Sequence, residues 1–402
     1  MKSNYKPIGD YIQRVESRNK DLKVTRLLGL SMTKEFRKTT SNTVGTNMTV
    51  YRVMSKYQFA CDFMSPIRVN KLPVVLKLDD EPNLVSPAYP VFEIEDRNEL
   101  DPEYLMMWFR RPEFDRYATF KCDAAIRGGY DWDALCETLI PVPTIEKQKK
   151  VVAEYNTIKN RIELNEQINQ KLEETAQAIY KQWFVDFEFP NENGKPYKSS
   201  GGKMVYNEVL EKDIPVEWEA GSFNEFVRLS QGQVINAKTN HLLAKVGLPL
   251  LRITDLINDT QKQFINPELV NPKNIANVDD IIYSRTGQVG LVFRNKKGVV
   301  YNNCFKVIPI KETITKDYIY RLLKDKYIYN LMNELAAASA QPDLTHSAFF
   351  SVKVLMPTQK VQKHFSELIR QIEKYQEDNK FQIMKLTQFK DLLLCKLVTI
   401  EN

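Results

Sequence analysis

The chain has 402 residues, of which 43% are apolar and 27% charged, and its formal net charge is +6. This length exceeds the usual size of one domain, so we expect two or three domains, each with its own core. No run of eighteen apolar residues occurs, and the first residues lack the apolar stretch of a signal peptide, which predicts a cytoplasmic protein without a membrane span. The five cysteines include no CxxC pair and the three histidines are isolated, so we expect reduced thiols and no structural zinc.

The first part of the chain is typical of a mixed, mainly β region. Apolar runs predict strands in "TNMTVYRVM" (46–54), "LPVVLKL" (72–78) and "YPVFEIED" (89–96). "DPEYLMMWFRRPEFDRYATF" (101–120) predicts a helix that opens at Asp101-Pro102. Charge is segregated, because residues 23–56 hold seven basic residues and one acid whereas residues 79–103 hold nine acids and one arginine. This distribution favours a polarised surface.

A proline-led turn in "LIPVPTIEKQKKVV" (139–152) then begins a long helix. Seam positions spaced alternately by four and three run from Val151 to Trp183, a heptad pattern that predicts coiled-coil packing over roughly 57 Å of helix. Asn165 interrupts the middle of the seam. The helix ends in "LEETAQAIYKQWFVDF" (172–187), whose aromatic cluster either closes a core or offers anchors to a partner.

A second mixed, mainly β region follows "PNENGKPYKSSGGKM" (190–204), which has the composition of a linker. Strands are predicted in "LPLLRITDLI" (248–257), "DDIIYSRTGQVGLVFRN" (279–295) and "GVVYNNCFKVIPI" (298–310), and a helix in "TKDYIYRLLKDKYIYNLMNELA" (315–336). Residues 284–306 hold five basic residues and no acid.

The proline-led turn and its helix occur a second time. "VKVLMPTQKVQKHF" (352–365) aligns with residues 139–152 at an offset of 214 residues (357 − 143), with proline, threonine and glutamine coinciding. The same offset carries the heptad seam to residues 365–397 and places Asn379 opposite Asn165 in the alignment. If the two helices are antiparallel, we expect these asparagines to face each other and set register. The halves share little sequence before this turn.

These segments resemble the specificity (S) subunits of Type I restriction-modification systems, over essentially the whole chain. The resemblance rests on "LEETAQAIYKQWFVDFEFP", "IPVPTIEKQKKVV", "VLMPTQKVQKHF", "KPYKSSGGKM", "DIPVEWEAG", "SPAYPVFEI" and "IRGGYDW". Two features depart from the first copy: the second helix ends "DLLLCKLVTIEN" without the aromatic cluster, and Gln376 and Lys390 lie on its seam.

The resemblance implies an α+β fold, with two globular mixed, mainly β target recognition domains separated by two long antiparallel coiled-coil helices. The predicted boundaries are 1–144 for the first recognition domain, 145–189 for the central helix, 190–212 for a linker, 213–357 for the second recognition domain and 358–402 for the last helix. Each recognition domain would read one half of a bipartite, asymmetric double-stranded DNA site. The partners implied are two modification subunits, which methylate adenine N6 with S-adenosylmethionine, and restriction subunits that use ATP and Mg²⁺; the S subunit itself would bind no cofactor and catalyse nothing.

The residues themselves show no catalytic constellation, since GxGxxG, P-loop and adenine-methyltransferase patterns are missing, and we predict no metal site. Glycine turns with reaching polar side chains suggest base-edge contacts at Arg127, Tyr130, Arg285, Thr286 and Gln288. Basic side chains predicted to contact phosphates are Lys23, Arg26, Lys34, Arg37, Arg52, Lys296 and Lys297. Partner-docking candidates are Trp183, Phe184 and Phe187, and register candidates are Asn165 and Asn379. A coiled-coil scaffold without sequence readout and an autonomous nuclease stay open as alternatives.

Overall fold

Two long helices organise the chain, each contributing to both of the units into which it divides. The computed structural model describes residues 5–39, 45–123, 130–337 and 342–399. Unit 1 comprises Met1–Glu166 and Asn379–Asn402, and unit 2 comprises Gln167–Asp378. Both boundaries fall inside a long helix, so the last helix belongs partly to the core of the first part of the chain.

The secondary structure mixes short strands with helices. The helices are α1 Ser65–Val69, α2 Pro102–Phe109, α3 Pro112–Asp123, α4 Trp132–Cys136, α5 Ile145–Tyr180, α6 Ile253–Asn258, α7 Lys316–Leu323, α8 Lys326–Ala336, α9 His346–Ser351 and α10 Gln359–Lys396. The strands are β1 Tyr5–Pro7, β2 Ile12–Val15, β3 Leu28–Leu30, β4 Phe36–Lys38, β5 Arg52–Met54, β6 Phe59–Cys61, β7 Val74–Leu76, β8 Asn83–Val85, β9 Val91–Ile94, β10 Leu139–Pro141, β11 Met204–Asn207, β12 Lys212–Pro215, β13 Glu219–Ser222, β14 Val227–Gln231, β15 Leu243–Ala244, β16 Leu248–Leu251, β17 Phe264–Ile265, β18 Ile275–Ala276, β19 Ile281–Ser284, β20 Val292–Phe293, β21 Gly298–Val300, β22 Cys304–Pro309 and β23 Lys353–Met356.

The two units share one topology. Unit 1 has a four-stranded sheet of order β2-β9-β6-β7, and unit 2 has its counterpart, of order β14-β22-β19-β20. Every strand pair within these two sheets is antiparallel. In each unit a further strand pair, β1-β10 or β13-β23, precedes a long helix. The α+β fold predicted from the sequence is therefore confirmed, and the repeat extends well beyond the proline-led turn.

The offset of 214 residues is kept by five successive elements. The elements α7, α8, α9, β23 and α10 each begin 214 residues after α2, α3, α4, β10 and α5 (316 − 102 for the first pair). What differs between the units is inserted elsewhere: unit 1 adds the pairs β3-β4 and β5-β8, and unit 2 adds a five-stranded sheet of order β15-β17-β16-β21-β18. The shared frame thus carries different additions.

The long helices are antiparallel within each unit. In unit 1, Val152 and Tyr155 near the start of α5 share a core with Leu394 and Leu397 from the end of the chain. In unit 2, Tyr180 at the end of α5 shares a core with residues near the start of α10. Every position predicted on the two seams, including Gln376 and Lys390, is buried or half-buried. The predicted heptad seams are confirmed.

The aromatic cluster at the end of α5 lies in the core of unit 2. The ring of Phe184 packs edge-on to Phe365, with centroids 4.8 Å apart, and the ring of Phe187 packs edge-on to Trp218 at 5.6 Å. Trp183, Phe184 and Phe187 are each at most 5% exposed. Because these side chains are covered by their own unit, they are core residues and not the partner-docking anchors that were the second possibility.

Three local features differ from the sequence prediction. The first predicted helix is two helices, because Pro112 cannot continue α2 and instead begins α3. In unit 2 the corresponding break comes at Asp325, whose carboxylate accepts hydrogen bonds from the first amides of α8. The predicted linker contains β11, which pairs with β12.

Among the described helices, none is long and apolar enough to cross a membrane.

Candidate nucleic-acid interface

One end of the four-stranded sheet of unit 2 collects polar side chains. Because β14 and β19 both run antiparallel to β22, the end of β14, the end of β19 and the start of β22 meet at the same edge. Gln231 ends β14, Arg285 follows β19, and Asn303 precedes β22. The backbone amides of Arg285 and Thr286 donate to the Asn303 carbonyl oxygen, so the edge is tied across strands.

Arg285 is held there by Asp343, which lies in the loop before α9. Its guanidinium is bidentate, with Nη2 2.6 Å from Asp343 Oδ2 and Nε 3.1 Å from Oδ1. Nη1 donates to Gln231 Oε1 at 3.2 Å, and the group lies 5.2 Å from the centre of the Phe305 ring. The Thr286 hydroxyl donates to Asp343 Oδ1 at 2.6 Å. Most of the N–H donors of Arg285, and the hydroxyl of Thr286, are therefore engaged within the chain.

The tip of the same turn is open. Gly287 has a φ of +81°, and a Cβ added there would meet nothing within 4 Å. Gln288 beside it is exposed. The buried Ser284 holds the turn, since its hydroxyl donates to the Gln288 carbonyl oxygen at 2.6 Å and accepts from the Leu291 amide at 2.8 Å. The Gln288 side chain is thus presented on a rigid turn, as a base-edge contact requires.

The equivalent end of the unit 1 sheet has different chemistry. Phe63 follows β6, and its ring packs edge-on to that of Tyr130 with the centroids 5.6 Å apart. The corresponding place in unit 2 holds the ion pair of Arg285 and Asp343. Tyr130 is 3% exposed, its hydroxyl lies 3.3 Å from both Thr138 Oγ1 and the Ala134 carbonyl oxygen, and burial raises its pKa. Tyr130 is therefore a core residue and not a base contact. Arg127 lies outside the described residues.

Two of the predicted phosphate contacts in unit 1 are structural instead. Lys34 is buried, pairs with Asp115 at 2.8 Å and donates to the Phe109 carbonyl oxygen. Burial lowers the pKa of Lys34, although Asp115 opposes this shift. Arg52 donates to the carbonyl oxygens of Pro87 and Val15. Neither cation is free to contact a phosphate.

The other predicted phosphate contacts lie at the surface. Lys23 and Arg37 are exposed, as is Lys297, whereas Lys296 is half-buried and pairs with Asp259. Arg26 pairs with Asp79 at 2.9 Å and Glu81 at 3.3 Å. The basic and acidic stretches of unit 1 thus partly neutralise each other, so the surface there is less polarised than the sequence suggested.

A turn at residues 19–24 adds an exposed apolar group that the sequence did not single out. The side-chain amide of Asn19 donates to the Val24 carbonyl oxygen at 2.9 Å and accepts from the Val24 amide at 3.2 Å. Between them Leu22 is 54% exposed with a φ of +57°, a left-handed conformation that is unusual for leucine. The exposed Lys20 and Lys23 flank it. This turn continues from the end of β2, the strand that corresponds to β14.

The register candidate Asn165 has a partner on the opposite helix. Asn165 is 1% exposed, and its side-chain amide donates to Gln382 Oε1 at 3.3 Å. Its Oδ1 atom is buried without a hydrogen-bond partner among the described residues. The structure therefore gives Gln382 as its partner, three residues beyond Asn379, and direct pairing of the two asparagines stays a prediction.

Metal chemistry has no evident centre in the part of the chain that is described. Within residues 5–39, 45–123, 130–337 and 342–399, His, Cys, Asp and Glu side chains form no group of three or more that could hold a metal ion. Cys61, Cys136, Cys304 and Cys395 are free thiols.

Comparison with known proteins matches this architecture. Residues 215–386 match the family model described as "Type I restriction modification DNA specificity domain". The chain is 25% identical over 309 residues to the Type I restriction enzyme MjaIX specificity subunit of Methanocaldococcus jannaschii, covering 74% of this chain and 68% of that one. It is 24% identical over 375 residues to the Type I restriction enzyme HindI specificity subunit of Haemophilus influenzae, covering 79% and 81%. The fold is similar to the crystal structure of a Type I restriction-modification S subunit from M. genitalium, with a TM-score of 0.57, 14% identity and coverage of 99% and 96%.

Proposed function

We propose that this chain, which belongs to the specificity subunits of Type I restriction-modification systems, reads a bipartite and asymmetric DNA site, with one unit for each half-site. Two different readers are supported by one observation: the two units share the same arrangement of elements but have different side chains at one equivalent contact. The segment after the third strand of the sheet contacts the loop before the small helix in both units. This contact is an aromatic pair in unit 1 and a surface ion pair in unit 2, so the half-sites should differ.

In protein–DNA recognition, contacts to base edges specify the sequence, whereas contacts to phosphates position the protein. Side chains at the sheet end of each unit would contact base edges, and exposed cations such as Lys23, Arg37 and Lys297 would hold the DNA backbone. The antiparallel helices would fix the distance between half-sites, as a dimer interface does for a palindromic binder. This chain would contribute recognition and no bond-breaking step.

Catalysis would then belong to partner subunits. Modification subunits would methylate adenine N6 with S-adenosylmethionine, and restriction subunits would cleave DNA with ATP and Mg²⁺. The complex would work in the cytoplasm, where DNA is accessible to it. Since Trp183, Phe184 and Phe187 are buried, modification subunits would dock on other surfaces than this cluster.

The test is the adenine methylome of a plain host that expresses this chain with its modification subunit. We expect a new split N6-methyladenine motif whose two halves differ in sequence. If the complex forms and no motif appears, the two-reader proposal is wrong and a scaffold without readout is favoured. Salt-sensitive duplex binding also separates a reader from a scaffold, and metal-dependent cleavage by the purified chain alone would indicate a nuclease.

A further inference from the structure

Asp343 is the more exposed partner of the ion pair at the sheet end of unit 2. Its side chain is 38% exposed, compared with 20% for Arg285. Oδ1 accepts hydrogen bonds from Arg285 Nε, Arg285 Nη2 and the Thr286 hydroxyl, at 3.1, 2.7 and 2.6 Å. Oδ2 accepts from Arg285 Nη2 alone among the described residues. Because each carboxylate oxygen has about two acceptor sites, Oδ2 retains capacity for another donor.

The surroundings keep this carboxylate charged and oriented. The hydrogen bond from Thr286 lowers the pKa of Asp343, and the charge of Arg285 also lowers it. Burial opposes this shift, but its effect is smaller than that of the Thr286 hydrogen bond. Near neutral pH the carboxylate is therefore ionised, so it accepts hydrogen bonds and does not donate them. The Arg285 guanidinium also offsets its negative charge, which would otherwise repel phosphates.

The partners of Asp343 are themselves fixed. Arg285 is held by Gln231 and by the Phe305 ring, and the Phe305 ring also packs against the exposed His346 at 4.6 Å. The backbone is tied as well, since the Leu344 amide donates to the Arg285 carbonyl oxygen and the Gly287 amide to that of Pro342, both at 2.9 Å. A rigid acceptor beside an open glycine turn is suited to reading a base edge.

We propose that Asp343 reads a base in the half-site of unit 2 by accepting a hydrogen bond from an exocyclic amino group, that of cytosine N4 or adenine N6. Guanine O6 and thymine O4 are acceptors at the major-groove edge, and an acceptor-only carboxylate rejects them. Arg285 and Thr286 act as positioning residues that orient the carboxylate. This inference rests on the proposed function and adds to it the chemical class of one recognised base.

The experiment uses the full chain in complex with its modification subunit and compares methylomes. In Asp343→Asn, the amide both donates and accepts, so discrimination at one position of one half-site should fall by about tenfold or more. The other half-site should be unchanged. Thr286→Val removes one positioning donor with little change in shape and should blur the same position more weakly.

A matched control is Asp280→Asn. Asp280 immediately precedes β19, at the opposite end of the same strand, and pairs with Lys316 at 3.0 Å. It should leave the motif unchanged. If Asp343→Asn lowers methylation with an unchanged motif, or weakens both half-sites equally, the inference is overturned and the ion pair is structural. If the wild-type complex gives no motif, the proposed function itself fails.

Discussion

Gln148 and Gln362 explain at the residue level why the proline-led turn is repeated. Both side chains are buried. Gln148 Oε1 accepts from the Asp101 amide at 2.8 Å, and Gln362 Oε1 accepts from the Thr315 amide at 2.9 Å, so each clamps the N-terminus of a helix 47 residues upstream. Their amide groups donate to the carbonyl oxygens of Pro143 and Pro357. The proline and the glutamine shared by the two copies are therefore the residues that make this clamp.

Asn165 gives a prediction at the same scale. Its buried Oδ1 has no partner among the described residues, and an unsatisfied buried acceptor is destabilising. In Asn165→Leu the acceptor is removed and apolar contact is gained, so the free energy of unfolding should rise by roughly 1–2 kcal/mol, with less strictly defined helix register. Asn160→Leu, on the exposed face of the same helix, is the control for thermal unfolding. An equal or lower melting temperature in Asn165→Leu would contradict the role in register.

Individual contact residues were the least predictable part of the site. Arg285, Thr286 and Gln288 do lie on one turn at the sheet end, as the glycine pattern indicated. Asp343 was missed because its loop reaches this turn only through tertiary packing, 58 residues from Arg285 in sequence. The roles of Lys34 and Tyr130 were predicted wrongly for the same reason. Both side chains are buried by distant segments, and the residues next to them in the sequence do not indicate this.

At the level of elements, an ionic network joins α7 of unit 2 to both long helices. Arg321, 1% exposed, pairs with Glu173 of α5 at 2.8 Å and with Glu373 of α10 at 3.4 Å. The further pairs are Lys324 with Glu173, Arg294 with Asp317 and Glu373, and Arg370 with Asp317. The position equivalent to Arg321 in unit 1 is Met107, which is buried in an apolar core. The network is thus an addition of unit 2 to the shared frame.

Glu173 makes the stability of unit 2 depend on pH. Burial would raise the pKa of this carboxyl, but the charges of Arg321 and Lys324 hold it at about 2, below the ordinary 4.5. A lowered pKa stabilises the folded state above pH 4.5, and this contribution is lost as the pH falls from 4.5 towards 2. Glu173→Gln should lower the free energy of unfolding at pH 7 by roughly 1–3 kcal/mol and flatten its slope in that acid range.

The neighbouring Glu174→Gln is the control, measured by urea unfolding at pH 7 and at several values below 4.5. Glu174 is exposed and pairs with Lys171 on the surface of the same helix, where the interaction is screened by solvent. It should therefore behave almost like wild type. Equal effects of the two substitutions would show that the buried network does not contribute the stability assigned to it.

Element types were largely predictable because their periodicity is local. The heptad seams and the starts of α5 and α10 follow from apolar spacing and from the proline-led turn. The shared strand order of the two sheets could not be read, since the halves have little sequence in common before that turn and pairing is decided by distant segments. The hairpin of β11 and β12 was not predicted, because the glycine, serine and lysine residues that precede it are typical of a linker.

For the whole molecule, the division into units changes how the long helices are understood. The sequence predicted two spacer helices, 145–189 and 358–402, and each helix gives one part to the core of unit 1 and the other to unit 2. Leu394 and Leu397, close to the end of the chain, are buried with residues of its first part. Both helices are therefore integral to both units.

Under the proposed function, inserting one heptad into each helix should lengthen the gap between half-sites and leave their sequences unchanged. Seven residues after Glu166 and seven after Asp378 preserve the seam in both helices. They add about 10.5 Å of helix, equivalent to about three base pairs. The methylome of the complex measures this directly, because the motif should keep both halves and gain about three unspecified positions between them.

The control places the same seven residues in the exposed turn at 192–194, which leaves both helices at their natural length. That variant should keep the wild-type gap. Lengthening a single helix should instead destabilise the helix pair, because about 10.5 Å of one helix would then have no counterpart in the other. If the double insertion yields a stable complex whose motif has the original gap, the helices do not set the spacing, and the distance between half-sites must be determined by the recognition units themselves.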